Sequence, residues 1–205
     1  MIVQKTAKIC TYGNPKAQRV WIVLHGYGQL AQFFIKKFKT LDETKNYVIA
    51  PEGLHRFYLQ GTGGRVGASW MTKEERQTDI QDYVNYLNQL RLEYQLDAYA
   101  EIILVGFSQG AATSARWMEI GGFQPSIYMH WAGVFPPDLE FNPEQNAFSN
   151  SRNFYVVGNQ DPYFSSEIVQ SELSQFEDKG IAIEYISFEG EHTIDSQVLA
   201  QFDGN

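Results

Sequence analysis

Three residues in this chain have the types, and fall in the order, that acyl transfer needs. Ser108 stands at the centre of Gly106-Phe107-Ser108-Gln109-Gly110, a G-x-S-x-G pattern, with Asp161 in Gly158-Asn159-Gln160-Asp161-Pro162 and His192 in Glu189-Gly190-Glu191-His192-Thr193. A serine hydroxyl is a weak nucleophile until a neighbouring base takes its proton. An imidazole does so when an acid holds it in the right tautomer. Ser, then Asp, then His is a chain order in which that set recurs. The tetrahedral oxyanion formed by such an attack needs donors. The backbone N–H of Gln109, at the start of a helix, and that of Tyr27, in His25-Gly26-Tyr27-Gly28, are the candidates, since glycines let a main-chain N–H face the reacting oxygen. Asp138 and Asp195 compete as acids, but Asp195 reads better as a cap of the C-terminal helix. His25 precedes the serine and reads as a structural histidine tying down its own loop. His55 falls in an aromatic loop and His130 inside a strand, so His192 alone has the base's place in the order.

These groups must be held by elements, and the hydrophobic pattern supplies them. Glu101 to Val105 is a β-branched and aliphatic run expected as a strand buried on both faces, and the small residues from Ala111 to Met118 predict a helix packed tightly on a sheet. Further strands are expected at Ile2–Tyr12, Val20–Leu24, Tyr47–Ala50, Ile127–Ala132, Asn153–Val157 and Ile181–Phe188. Leu30, Phe33, Phe34, Phe38 and Leu41 predict an amphipathic helix over Gln29–Thr40. Ile80, Val84, Leu87 and Leu90 predict another over Lys73–Leu92, with Thr72 as its N-cap. Strands alternating with helices give a mostly parallel sheet covered on both faces, whose carboxyl edge is where ligands bind. Asp161 and His192 each follow a strand, on that edge. From Glu52 to Met71 the pattern breaks, with five glycines among Phe57, Tyr58 and Trp70. An irregular loop is expected here, with those three aromatics as a substrate-binding wall. Gly61-Thr62-Gly63-Gly64 lacks the Lys-Ser or Lys-Thr that a phosphate cradle requires.

Composition narrows the function classes. The 205 residues are 43% hydrophobic and 15% aromatic, enough for one domain spanning 1–205. A formal net charge of -8 leaves no basic stripe for nucleic acid. The one cysteine, Cys10, excludes an internal disulfide framework and is expected as a small core residue. With no leader pattern and no run of transmembrane length, the expectation is a cytoplasmic protein without a transmembrane segment. The short stretch between the strand ending near Ala132 and that ending at Val157 has no room for a large cap domain. A homodimer is left open.

Together, Leu24-His25-Gly26-x-Gly28, Ser69-Trp70, Gly106-Phe107-Ser108-Gln109-Gly110, the Gly158 to Asp161 turn and Gly190-x-His192 resemble the α/β-hydrolase carboxylesterase and phospholipase family that includes the acyl-protein thioesterases. The resemblance covers most of the chain, in order. It implies an α/β-hydrolase fold and a Ser-His-Asp serine hydrolase with no metal and no cofactor. Its substrate would be a small-molecule carboxylic ester or a thioester, cleaved through an acyl-enzyme; the open site and the aromatic loop from Glu52 to Met71 add an expectation of short to medium acyl chains. A lysophospholipase, a peptidase-type acyl hydrolase and a catalytically silent binding module are the alternatives. Two positions depart from the family pattern: Gln29 stands where Asp is frequent, and Thr72 follows Trp70-Met71 where Asp is frequent.

Overall fold

The computed structural model describes residues 1–140 and 146–203. Its strands, in chain order, are β1 (Ile9–Gly13), β2 (Arg19–Leu24), β3 (Asn46–Pro51), β4 (His55–Gln60), β5 (Gly63–Ser69), β6 (Glu101–Phe107), β7 (Ile127–Trp131), β8 (Arg152–Gly158) and β9 (Glu184–Phe188). Its helices are α1 (Ala31–Phe34), continued by a 3-10 turn over Ile35–Phe38, then α2 (Arg76–Glu93), α3 (Gln109–Gly121), α4 (Ser166–Asp178) and α5 (Ser196–Ala200). Seven strands form one sheet in the order β1-β3-β2-β6-β7-β8-β9. All neighbours run parallel except β1, which lies antiparallel to β3 at the edge.

The two-residue period of the strands divides the core in two. Val20, Ile22, Leu24, Ile102 and Leu104 point to the face covered by α2, α3 and α4, where they meet Ile80, Leu87, Trp117 and Phe176. Trp21, Val23, Ile103 and Val105 point to the other face, against Phe34, Phe38, Val198 and Leu199. Each such side chain contributes about 1.5–3 kcal/mol when removed from water. Burial on both faces explains the unbroken apolar runs of β2 and β6. Because the strands are parallel, the ends of β2, β6, β8 and β9 reach one edge, and the segments beginning at His25, Ser108, Asn159 and Glu189 gather there. Among the described residues no large cap covers that edge.

Several expectations change. The segment Glu52 to Met71 is not irregular: β4 and β5 pair antiparallel as a separate hairpin, turned at Gly61 and Gly64 with φ of 62° and 80°. Most of its residues face solvent, so no buried alternation marks the strands. The helix expected over Gln29–Thr40 is a single α-turn and a 3-10 turn. Its buried stripe is Ala31, Phe34, Ile35 and Phe38, the i, i+3, i+4, i+7 set, which leaves Phe33 on the opposite side at 58% exposure. Thr72 does not cap α2, which starts at Arg76 after Glu75 in a left-handed conformation (φ 49°); the Thr72 N–H donates instead to Asp79 Oδ2 at 3.0 Å. The strands expected from Ile2 and Ile181 begin at Ile9 and Glu184.

Candidate active site

Ser108 occupies the corner between β6 and α3 with φ 55° and ψ -117°, a backbone conformation that L-residues rarely adopt. Holding it there costs on the order of 1–3 kcal/mol. The corner is tight enough to demand both flanking glycines. A Cβ on Gly106 would lie 2.1 Å from Ser114 Oγ and 2.5 Å from Gly110 O, and one on Gly110 would lie 2.3 Å from Leu24 O. Hydrogen bonds fix the turn from either side: the Ser108 N–H donates to Trp131 O at 2.8 Å, and the Ala111 N–H to Ser108 O at 3.0 Å.

The turns after β8 and β9 bring Asp161 and His192 together. The Asn159 N–H donates to Phe188 O and the Gln160 N–H to Gly190 O, both at 2.9 Å, and a Cβ on Gly158 would collide with Gly190 O at 2.3 Å. Asp161 is buried, and its two oxygens have separate tasks. Oδ1 accepts the Tyr163 N–H at 2.9 Å, and Oδ2 lies 2.7 Å from His192 Nδ1. The imidazole packs among Phe107 at 4.8 Å, Tyr163 at 4.9 Å edge-on, and Phe164, parallel at 6.3 Å. Phe107 is the residue before Ser108, so the ring sits beside the elbow. Such an arrangement can keep a proton on Nδ1, donated to the carboxylate, and leave Nε2 free to accept one.

The loop after β2 comes up against Ser108 from the other side. A Cβ on Gly26 would lie 3.0 Å from Ser108 Cβ, so glycine is what permits the approach. Among the described residues, neither the Tyr27 nor the Gln109 N–H has a hydrogen-bond acceptor, which leaves both available for an oxyanion. Gln29 earns a role that its departure from the family pattern did not suggest: its Oε1 accepts the Gly26 N–H at 3.0 Å. The hairpin completes the support. The Gly28 N–H donates to Ala68 O at 2.8 Å and the Ala68 N–H to Gln29 O at 3.1 Å, a strand-like bridge between β5 and the loop. Gly67 allows it, because a Cβ there would fall 2.5 Å from Gly28 O.

The other candidates fall where their contacts explain them. His25 is fully buried, its Nδ1 donating to Gly26 O at 2.8 Å and its Nε2 accepting the Gly53 N–H at 3.0 Å; burial holds its pKa below the ordinary value, so the ring is neutral and structural. Asp138 binds Arg116 and Arg76, at 2.5 and 2.7 Å. Asp195 caps α5, accepting the Gln197 and Val198 N–H groups. The expected aromatic wall must be corrected. Trp70 is entirely buried, its ring 5.1 Å from His25 and its Nε1 donating to His25 O at 2.8 Å, so it is core that anchors the loop. Phe57 packs on Tyr27 at 5.0 Å, and Tyr58 is exposed on the hairpin. The apolar groove beside the loop, of about 680 Å³, is lined instead by Leu30, Phe33, Phe34, Leu59 and Val66. The Gln109 side chain was also not foreseen: Oε1 accepts the Trp70 N–H at 3.1 Å and Nε2 donates to Met71 O at 2.9 Å, tying the elbow to the hairpin's end.

A parallel sheet wrapped by helices, with a serine corner, an Asp–His pair and a donor loop at its carboxyl edge, has the architecture of an α/β-hydrolase. The chain belongs to the phospholipase/carboxylesterase family, whose model matches residues 6–203, and is accordingly a hydrolase of esters. Its fold resembles that of a phospholipase/carboxylesterase from Dyadobacter fermentans (19% identity, TM-score 0.67, covering 100% of this chain and 98% of that one). It also resembles esterase PE8 (20%, 0.70, covering 98% and 97%) and a Bacillus cereus carboxylesterase (15%, 0.66, covering 96% and 92%). Among curated proteins, none matches it in sequence. Among the described residues there is no group of His, Cys, Asp and Glu arranged to hold a metal ion, and no helix long and apolar enough to cross a membrane.

Proposed function

We propose that the chain is a serine esterase working through an acyl-enzyme, with Ser108 as nucleophile, His192 as general base and Asp161 as the acid that orients it. The observation carrying this reading is the 2.7 Å contact between Asp161 Oδ2 and His192 Nδ1, beside a serine held in a strained corner. Ser108 Oγ attacks the acyl carbonyl while His192 Nε2 takes its proton. The Tyr27 and Gln109 N–H groups hold the oxyanion. The tetrahedral intermediate collapses as His192 returns the proton to the leaving oxygen or sulfur, and a water activated by the same imidazole then releases the acid. The open groove beginning at Gly28 supports short to medium acyl chains, with each buried methylene contributing about 0.8 kcal/mol. Thioesters suit the same machinery. The acidic balance and lone Cys10 fit a cytoplasmic protein acting on small molecules rather than nucleic acid.

The test is a kcat/KM series on acetyl, butyryl and octanoyl p-nitrophenyl esters, with the matching thioesters alongside. The expected result is turnover that rises with chain length until the groove is filled and disappears in Ser108→Ala. Turnover that survives the substitution would remove Ser108 from the chemistry.

A further inference from the structure

The groove that begins at Gly28 carries a charge pattern that an uncharged substrate does not explain. Its floor and walls are apolar, from Leu30, Phe33, Phe34, Leu59 and Val66, yet Lys37 and Arg65 also line it, and no carboxylate does. Arg65 is unlike every other arginine of the chain. Arg19, Arg56, Arg76, Arg91, Arg116 and Arg152 each bind an aspartate or glutamate, whereas Arg65 has no ion pair and no hydrogen bond among the described residues. Among the described residues Lys37 has no acidic partner either. Its Nζ donates to Thr193 Oγ1 at 3.2 Å, on the residue after His192. Acidic side chains are plentiful in this chain, 24 against 16 basic, so an arginine left without one is not a consequence of composition, and the Lys37 ammonium stands beside it on the groove. The groove is joined to the machinery at both sides: Gly28 and Gln29 belong to the donor loop, and Lys37 reaches the turn that carries His192.

We propose that this groove selects esters whose apolar arm carries an anionic group, a carboxylate or a phosphate, bound by Arg65 and Lys37. The inference rests on the serine-esterase reading and names its substrate class. An apolar arm lies along Phe33, Phe34, Leu59 and Val66, and the anion takes the place of the carboxylate that the other arginines already have. The guanidinium fork suits either oxyanion. Uncharged esters occupy the same groove without that contact, so discrimination between charged and uncharged esters is the quantity that reports the site.

Two pairs of substrates separate the sources of charge. The p-nitrophenyl monoester of suberic acid against p-nitrophenyl octanoate places a carboxylate on the acyl arm. The p-nitrophenyl ester of 8-(phosphonooxy)octanoic acid against the same octanoate places a phosphate there. For at least one pair, the ratio of kcat/KM, charged over uncharged, should fall by about two- to fivefold in Arg65→Gln and further with Lys37→Gln added, mainly through KM, the scale of an ion pair made by exposed cations. Arg65→Lys should keep most of the ratio, and about 0.5 M salt should erode it in the wild type. A ratio that is the same in wild type, Arg65→Gln and the double variant for both pairs would overturn the proposal. Calorimetry on Ser108→Ala with octanamide, the monoamide of suberic acid and 8-(phosphonooxy)octanamide tests the groove without chemistry. A preference for an anionic ligand that disappears with Arg65→Gln upholds the groove even if Ser108 proves not to be the nucleophile. No preference for any anionic ligand there contradicts it whatever the fate of the serine.

Discussion

Replacing Asp161 by Asn changes one atom, and the structure dictates what that does. Oδ1 of Asp161 accepts the Tyr163 N–H at 2.9 Å, a task that an amide NH2 cannot perform, so the Asn carbonyl must keep that position. The amide nitrogen then faces His192 Nδ1, 2.7 Å away in the wild type, and can only donate. Nδ1 must become the acceptor, the ring proton moves to Nε2, and the lone pair needed for the Ser108 proton is gone. In Ser-His-Asp enzymes the wrong tautomer lowers kcat about 10⁴-fold, which is about 5.5 kcal/mol of barrier. The shape and packing of the side chain are kept, so stability should change by only about 1 kcal/mol. Steady-state hydrolysis of p-nitrophenyl butyrate, paired with urea unfolding, measures both. Asp138→Asn is the control. It disturbs a carboxylate bound to Arg116, which is 2% exposed, and should lower stability by about 2 kcal/mol, less than for a fully buried pair because Asp138 is itself 28% exposed. Its effect on kcat should be small. A loss below about tenfold in folded Asp161→Asn, or a crippled but folded Asp138→Asn, would refute the reasoning.

Other perturbations probe the support around the site. Gly67→Ala puts a methyl 2.5 Å from Gly28 O, and backbone there cannot yield without moving the donor loop, so kcat should fall about 10²-fold, the cost of one oxyanion donor; wild-type kcat in this variant would separate the hairpin from the loop. Trp70→Ala should cost about 3–5 kcal/mol of stability and lower hydrolysis of acetyl, butyryl and octanoyl esters by one common factor, because the ring is core. A loss that grows with acyl length would return Trp70 to the substrate. Burial holds the His130 pKa down at about 3. The unfolded chain therefore takes up a proton below about 6.5 that the folded chain refuses, and stability falls with pH: at pH 5 the loss is about 1.5 units, or about 2 kcal/mol. Buried His25, shifted in the same direction, adds to it. Urea midpoints at pH 7 and pH 5 measure this fall, and it should be smaller in His130→Gln.

What the sequence made legible is what depends on local pattern. The runs at Val20–Leu24 and Glu101–Val105 announce strands buried on both faces because period and burial coincide there. G-x-S-x-G marks the corner because its glycines answer backbone approaches of 2.3–2.5 Å, a need that only glycine meets. Chain order, with each residue just past a strand, placed Asp161 and His192 on turns that do meet. The features that stayed hidden depend on tertiary neighbours. The hairpin lies off the main sheet with most side chains in water, so β4 and β5 have no alternation to read. Trp70 and Phe33 exchange roles, the first core and the second exposed beside the groove. Whether an aromatic faces inward is settled by one residue of helical phase for Phe33, and by the pull of His25 on the Trp70 indole. Helix α4 carried a signal that was not read, Ser165 capping a segment whose Val169 and Phe176 are buried. The Gln109 and Gln29 amides could not be foreseen, since their partners at Trp70, Met71 and Gly26 are fixed only by the folded loop.

The most direct measurement is covalent labelling. An alkyl fluorophosphonate reacts with a serine only when a neighbouring base activates it and an oxyanion site receives the phosphoryl oxygen. Incubated with the wild-type protein and followed by peptide mass spectrometry, it should add one equivalent to the peptide containing Gly106-Phe107-Ser108-Gln109-Gly110 and abolish ester hydrolysis in step. Ser108→Ala should show neither labelling nor turnover. One equivalent of adduct on a different serine, or undiminished hydrolysis after complete labelling of Ser108, would contradict the assignment of Ser108 as the nucleophile.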